Sequence, residues 1–141
     1  MKIKLGLLLT TLFWNGISNA SGNDDVPVAY QWILTAESDQ VSFFLNVETI
    51  KDLGSNRKQV WVMMDYNNQQ KMDSLTYQSR KTESIYDCRH ETRTLISWVI
   101  YEKAFGGGSV VDSHEYKSED QELENVAPES TGEAIFKAVC E

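Results

Sequence analysis

Histidine, cysteine and positive charge are scarce in this chain. Its 141 residues hold two histidines, two cysteines and 13 lysines and arginines against 21 aspartates and glutamates, a net charge of −8. Two histidines leave little material for a catalytic or zinc-binding set, which needs several such groups held together. The excess of acid argues against nucleic acid and anionic membrane surfaces as partners, because both need a positive field. No internal repeat is present. Beyond the first 20 residues no stretch is apolar for the roughly 20 residues that a membrane-spanning helix requires.

The start of the chain has the pattern of a secretory signal. Lys2 and Lys4 supply the positive end, Ile3 to Trp14 is mostly apolar, and Ser18 and Ala20 put small residues at the −3 and −1 positions of a cleavage site. The apolar run is too short for a mature membrane anchor, and no cysteine lies near the cleavage site to carry a lipid. Cleavage after Ala20 is therefore expected. It would leave a single domain, residues 21–141, without a membrane span, in the periplasm or at the cell surface. Loss of Lys2 and Lys4 takes the basic count from 13 to 11 against 21 acids, a mature charge of −10.

Both cysteines, Cys88 and Cys140, fall in that mature segment. An oxidising compartment favours their pairing within one chain over free thiols or a bridge between chains. Closing the intervening segment would stabilise the fold by about 4 kcal/mol in the chain-entropy picture.

Apolar and polar residues alternate through much of the chain, the signature of strands. Ala29–Ala36 reads as a first strand and Val41–Val47 as a second, joined by the polar Glu37–Gln40. Glu48–Leu53 is expected to form a short helical turn ended by Gly54. Gln59–Tyr66 is almost continuously apolar and predicts a central strand. Asn67–Asp73 is turn-like. Thr76–Cys88 is mostly polar and predicts a solvent-facing strand. Thr92–Lys103 predicts a well-covered one, Gly106–Gly108 a tight turn, and Val110–Tyr116 the returning arm of a hairpin. Ser118–Asn125 reads as an acidic solvated loop.

The last segment is the clearest helix. Ser130 and Glu133 match a capping box, and Ile135, Phe136, Val139 and Cys140 share one face. That face should lie on the sheet with Cys140 beside Cys88. The expected fold class is α+β, an antiparallel sheet of about five to six strands with a C-terminal helix packed on one face.

Several residues also look familiar in their order. Tyr77-x-Ser79-x-Lys81, Asp87-Cys88-Arg89, Arg93-Thr94-Leu95, Tyr101 and Phe105-Gly106-x-Gly108 are followed by Pro128-x-Ser130 and a helix ending Val139-Cys140. Trp32, Val41–Ile50 and Val60-Trp61 fit the opening half. This series resembles the surface-adhesin protein E family of Gram-negative bacteria over nearly all of Ala29–Cys140. The resemblance implies an antiparallel sheet with one helix, a disulfide from strand to C-terminal helix, and a non-enzymatic binding role. It also implies a protein ligand, such as a host extracellular-matrix or plasma protein like vitronectin or laminin. Adhesive members can carry a lysine-rich stretch after the glycine-rich hairpin, where this chain has the acidic Ser118–Glu124. The alternative reading is a periplasmic structural or accessory module without a host ligand.

The residues themselves support no catalytic, metal or cofactor site. Cys88-x-His90-Glu91 lacks the partners of a zinc site, no Gly-x-Ser-x-Gly elbow is present, Gly106–Gly108 opens no phosphate-binding helix, and the acidic run lacks calcium-loop spacing. His90 and His114 read as solvated strand-surface residues, and Trp32, Trp61 and Trp98 as core packing. Arg80, Lys81, Arg89 and Arg93 are the only basic concentration and form the candidate protein-binding patch. An exposed sheet edge could add to recognition or pair two protomers as a homodimer.

Overall fold

The computed structural model describes residues 31–141. The signal segment, its cleavage site and the first residues of the expected first strand lie outside the described residues. Eight strands form one antiparallel sheet: β1 (Trp32–Glu37), β2 (Val41–Asn46), β3 (Lys51–Gly54), β4 (Arg57–Met72), β5 (Leu75–Asp87), β6 (Thr92–Tyr101), β7 (Val110–Glu115) and β8 (Leu123–Asn125). The spatial order is β1-β2-β4-β5-β6-β7, with β3 also on β4 and β8 also on β6. One helix, α1 (Thr131–Cys140), follows. The α+β class is as the sequence implies, with more strands than five to six.

The two additional strands lie where the sequence suggested a helical turn and a loop. Val47–Thr49 is a short 3-10 turn, but Lys51–Gly54 then pairs with β4 as β3. Its hairpin turns through Ser55 and Asn56, whose φ values of 54° and 60° are the left-handed conformations a tight hairpin needs. In the acidic segment, Leu123–Asn125 pairs with Thr92–Thr94 of β6 as β8. Three residues, one of them a largely exposed leucine, are too few to show a period of two. The turn-like Asn67–Asp73 is mostly the continuation of β4 through an irregular register, with the turn itself starting at Asp73.

The largest difference concerns β5. It is not solvent-facing; it lies between β4 and β6, and Ser79, Thr82, Ser84 and Tyr86 are at most 3% exposed. Buried hydroxyls are tolerated when they are hydrogen-bonded. Ser79 Oγ donates to the Lys103 carbonyl at 2.6 Å and accepts from the Gly106 amide at 2.8 Å. Ser84 Oγ accepts from Arg93 Nε at 3.0 Å. Small polar residues thus read as solvated when they are in fact satisfied internally.

The main core lies between α1 and the sheet. Leu45, Val60, Val62 and Tyr86 meet Ile135 and Val139, with Phe43, Ile50, Phe136 and Cys140 at the margin. Full burial of side chains such as Ile135 and Val139 contributes about 1.5–3 kcal/mol each. The helix starts at Ser130, whose Oγ accepts from the Glu133 amide at 3.1 Å and donates to the Ala127 carbonyl at 2.6 Å. The returning contact of the capping box is shifted by one residue: the Glu133 carboxylate accepts from the Glu129 amide at 2.8 Å rather than from Ser130. At the other end, Lys58 Nζ donates to the Val139 carbonyl at 2.8 Å, a cation at the negative end of the helix. Cys88 and Cys140 form a disulfide across a Cα separation of 5.6 Å, tying α1 to the turn that follows β5.

The opposite sheet face carries a smaller cover. The β6–β7 connection folds back over Met63, which is fully buried. Phe105 packs edge-on against Phe44 with centroids 4.9 Å apart, and its amide donates to Asp65 Oδ1 at 2.7 Å. Gly106 has a φ of 70°, and a Cβ there would lie 2.9 Å from Lys81 Cε and Nζ. The glycine-rich turn is therefore also a packing element seated on β4 and β5.

Candidate functional site

Successive residues of a strand point to opposite faces. Along β5, Arg80, Thr82, Ser84 and Tyr86 lie on the face that carries α1, and Ser79 and Lys81 lie on the other. The predicted basic patch is consequently split. Arg80 is opposite Ile100 and Arg93 is opposite Tyr86, so the two share a face but stand six residues apart along the ladder, about 20 Å. Lys81 is on the far face, and Arg89 is exposed in the β5–β6 turn.

Each cation has its own surroundings. Arg93 is held by Ser84 and by Glu124 of β8, with Nη1 3.2 Å from the carboxylate. Lys81 Nζ lies 5.4 Å from the Trp32 ring centroid and 4.9 Å from that of Tyr101, and burial holds its pKa below the ordinary lysine value. Arg80 has its guanidinium carbon 5.2 Å from the Trp98 ring centroid. Its Nε is buried and has no hydrogen-bond partner among the described residues. The ion pairs among those residues are His90–Asp87, Arg93–Glu124 and Lys137–Glu133, none of which involves Arg80 or Lys81.

Around Arg80 the helix-side face is aromatic. Trp98 on β6 stacks with His114 on β7 at 6.0 Å and 28° between planes, and His114 meets Tyr116 edge-on at 4.5 Å. Tyr66 packs edge-on against Tyr77 at 5.8 Å, and its hydroxyl points at Met64 Sδ, 3.4 Å away. Burial, then the neighbouring Tyr77, push the Tyr66 phenol above its ordinary pKa, while the nearby Arg80 charge opposes them.

The tryptophans differ from expectation. Trp32, Trp61 and Trp98 are half-buried on the sheet faces rather than part of the closed core. His90 is likewise not on a strand. It lies in the turn after β5, where Asp87 Oδ1 accepts from the Arg89 and His90 amides at 3.0 Å and Asp87 Oδ2 is 2.9 Å from His90 Nδ1. The His90 contact holds the Asp87 carboxyl below its ordinary pKa. His114 is on a strand and exposed, as expected, but it is stacked.

Trp98, His114, Tyr116 and Tyr66 were not singled out as companions of Arg80 by the sequence. Their only signal was alternation within each strand. The pairing Thr82–Trp98–His114, which sets them side by side, is a property of the register. A cleft of about 270 Å³ is lined by Leu95, Tyr116 and the carboxylates of Asp120, Glu122 and Glu124. A smaller one, about 150 Å³, runs under the start of α1 between Phe43, Met64, Thr82 and Arg93. Among the described residues, no three His, Cys, Asp or Glu side chains converge as a metal site, and no helix is long and apolar enough to cross a membrane.

The family model described as surface-adhesin protein E matches residues 32–141. Solved structures of Haemophilus influenzae protein E have the same fold. Crystal form II is 12% identical, with 78% of this chain and 87% of that chain covered at a TM-score of 0.60. The selenomethionine form is also 12% identical, covering 78% and 85% at 0.58. Protein E from non-typeable Haemophilus influenzae is 13% identical, covering 78% and 75% at 0.58. At such identities the likeness establishes fold alone. No curated protein matches the sequence.

Proposed function

Because this chain belongs to the surface-adhesin protein E family, we propose that it is a non-enzymatic binding protein of the bacterial envelope whose ligand is a protein. The observation that carries this reading is the extent of the family match, which runs through residues 32–141 and includes both ends of the Cys88–Cys140 bridge. A disulfide fits an exported protein, and so does the amino-terminal pattern ending at Ala20. The functional unit is then residues 21–141. The ligand class is a host extracellular-matrix or plasma protein.

Recognition can use the side chains around Arg80 or the strands that are outermost among the described residues, β1 and β7. Of the outer strands, β1 carries Ile33 and Leu34, each 51% exposed. Such an edge could also pair two protomers. One observation favours the second reading, an accessory module confined to the periplasm: Ser118–Asn125 is acidic and its carboxylates line an open cleft.

Protease treatment of intact cells, followed by a search for the chain in the supernatant, separates the two. Release is expected of a displayed adhesin. A chain that resists shaving and leaves only by osmotic shock belongs to the periplasm. Binding of the purified chain to immobilised matrix and plasma proteins is expected alongside release, and its absence there would leave the host-ligand reading without support.

A further inference from the structure

We propose that the part of the helix-side sheet face around Arg80 is a receptor for a carboxylate side chain of a protein partner, with Arg80 as the pairing cation and Trp98 and His114 as the stacked wall beside it. This rests on the reading of the chain as a protein-binding adhesin and adds where and what it binds.

Among the described residues, Arg80 carries an unsatisfied hydrogen-bond donor. A half-buried cation is costly unless it is paired or hydrogen-bonded. Arg80 has a buried Nε with no partner among the described residues and takes part in none of their ion pairs. What holds it among the described residues is Trp98, a contact that suits the planar, weakly hydrated guanidinium. Asp112 faces the same way, but Arg80 is opposite Ile100 and Ile100 is opposite Asp112. Two strand spacings separate the two Cα atoms by about 10 Å, and the side chains form no ion pair. Among the described residues the Arg80 guanidinium thus has no carboxylate partner, despite an excess of acid overall.

The surroundings suit a protein contact. Tyr, Trp, Arg and Met are the residue types enriched at protein interfaces and their hot spots. Here Met64, Tyr66, Arg80 and Trp98 on their strands and Tyr116 just after β7 flank the helix-covered core. Lys81 is also without an ion pair, but it is enclosed by Trp32, Tyr101 and the turn at Gly106. Arg93 already has Glu124. Of the three cations seated on the sheet, Arg80 is the one with neither an ion pair nor an enclosing turn, whereas Arg89 stands exposed in the β5–β6 turn.

The test uses the purified exported chain, a hexaglutamate peptide, a hexalysine peptide and a heparin oligosaccharide. Nitrogen-15 NMR follows the Trp98 indole N–H. Hexaglutamate should shift that resonance and hexalysine should not. Arg80→Gln should weaken hexaglutamate binding about 10-fold or more, the scale of a charge-assisted hydrogen bond, and Arg80→Lys should restore only part of it. Arg89→Gln removes the same charge from an exposed turn and should change binding less than about twofold. His114→Ala, an exposed position, should weaken binding and serves as the deciding variant if Arg80→Gln does not fold.

Equal losses in Arg80→Gln and Arg89→Gln would reduce the effect to general charge and overturn the site. Heparin binding through Arg80 without hexaglutamate binding would overturn the ligand class. If the wild-type chain binds immobilised matrix or plasma protein and Arg80→Gln binds it equally, the adhesin reading stands and the site is wrong. If Arg80-dependent hexaglutamate binding occurs without any host-protein binding, the site stands and the host ligand is wrong.

Discussion

Replacing both Cys88 and Cys140 by serine removes the link between α1 and the end of β5, and its effect can be worked from the topology. The two cysteines are 52 residues apart in sequence. In the chain-entropy model, freeing a loop of that length costs about 4 kcal/mol of stability. Domains of this size have about 5–15 kcal/mol in total, so the loss is a large fraction. With a urea slope of about 1.5 kcal/mol/M, the unfolding midpoint should fall by about 2.5 M, and the slope should rise because the unlinked denatured chain is more expanded. The bridge closes a loop containing the β5–β6 turn, β6, β7 and β8, and it holds the helix that supplies Ile135 and Val139 to the core. Hydrogen exchange should therefore show amides of α1 losing protection before those of β4 and β5. Equilibrium urea unfolding of the oxidised wild type and the double serine variant makes the comparison. A difference under about 0.5 kcal/mol would refute the loop-entropy reasoning and show that core contacts alone seat the helix.

Three further outcomes are expected. Ser130→Ala removes the acceptor for the Glu133 amide and the donor to the Ala127 carbonyl, and should cost about 1 kcal/mol in thermal or urea unfolding. Gly106→Ala should cost about 1 kcal/mol, mainly from the left-handed φ of 70°, since the Lys81 end it would touch can swing away; a fluorescence change from Trp32 would report that displacement. Asp87 has a folded-state pKa below its ordinary value because of His90. The folded chain therefore holds its carboxylate charged where the unfolded chain takes up a proton, so this contribution is present above the ordinary aspartate range and is lost as pH falls through the lower folded value. His90→Ala should flatten that part of the acid unfolding curve, and an unchanged curve would remove the His90 contact as its cause.

Much of the layout was legible in the chain because it is local. The hairpins at Glu37–Gln40 and Gly106–Gly108 and the cap at Ser130 are set by neighbours a few residues apart, where turn chemistry and alternation act. The pairing of Cys88 with Cys140 could be anticipated from compartment, count and the helix face. The misplacement of β5 had a different origin. A strand of serines and threonines looks solvated until the partners of Ser79 and Ser84 are known, and these come from residues 24 and nine positions away. The supposed patch of Arg80 and Lys81 failed for a simpler reason: adjacent residues on one strand face opposite ways, which the period of two already implies.

By itself, the sequence determined a chain of alternating strands, one capped C-terminal helix, a pair of cysteines and a family membership. Those features follow from composition and from interactions of short range. Only the tertiary structure decided which strand is central, which cation is neutralised and which is open. Arg80, Trp98 and His114 belong to β5, β6 and β7, and the register that stacks them depends on one bulge in β6 beside Ser84. A shift of one residue there would turn Trp98 to the other face. The candidate site is thus a product of register across strands, a quantity that no single stretch of sequence contains.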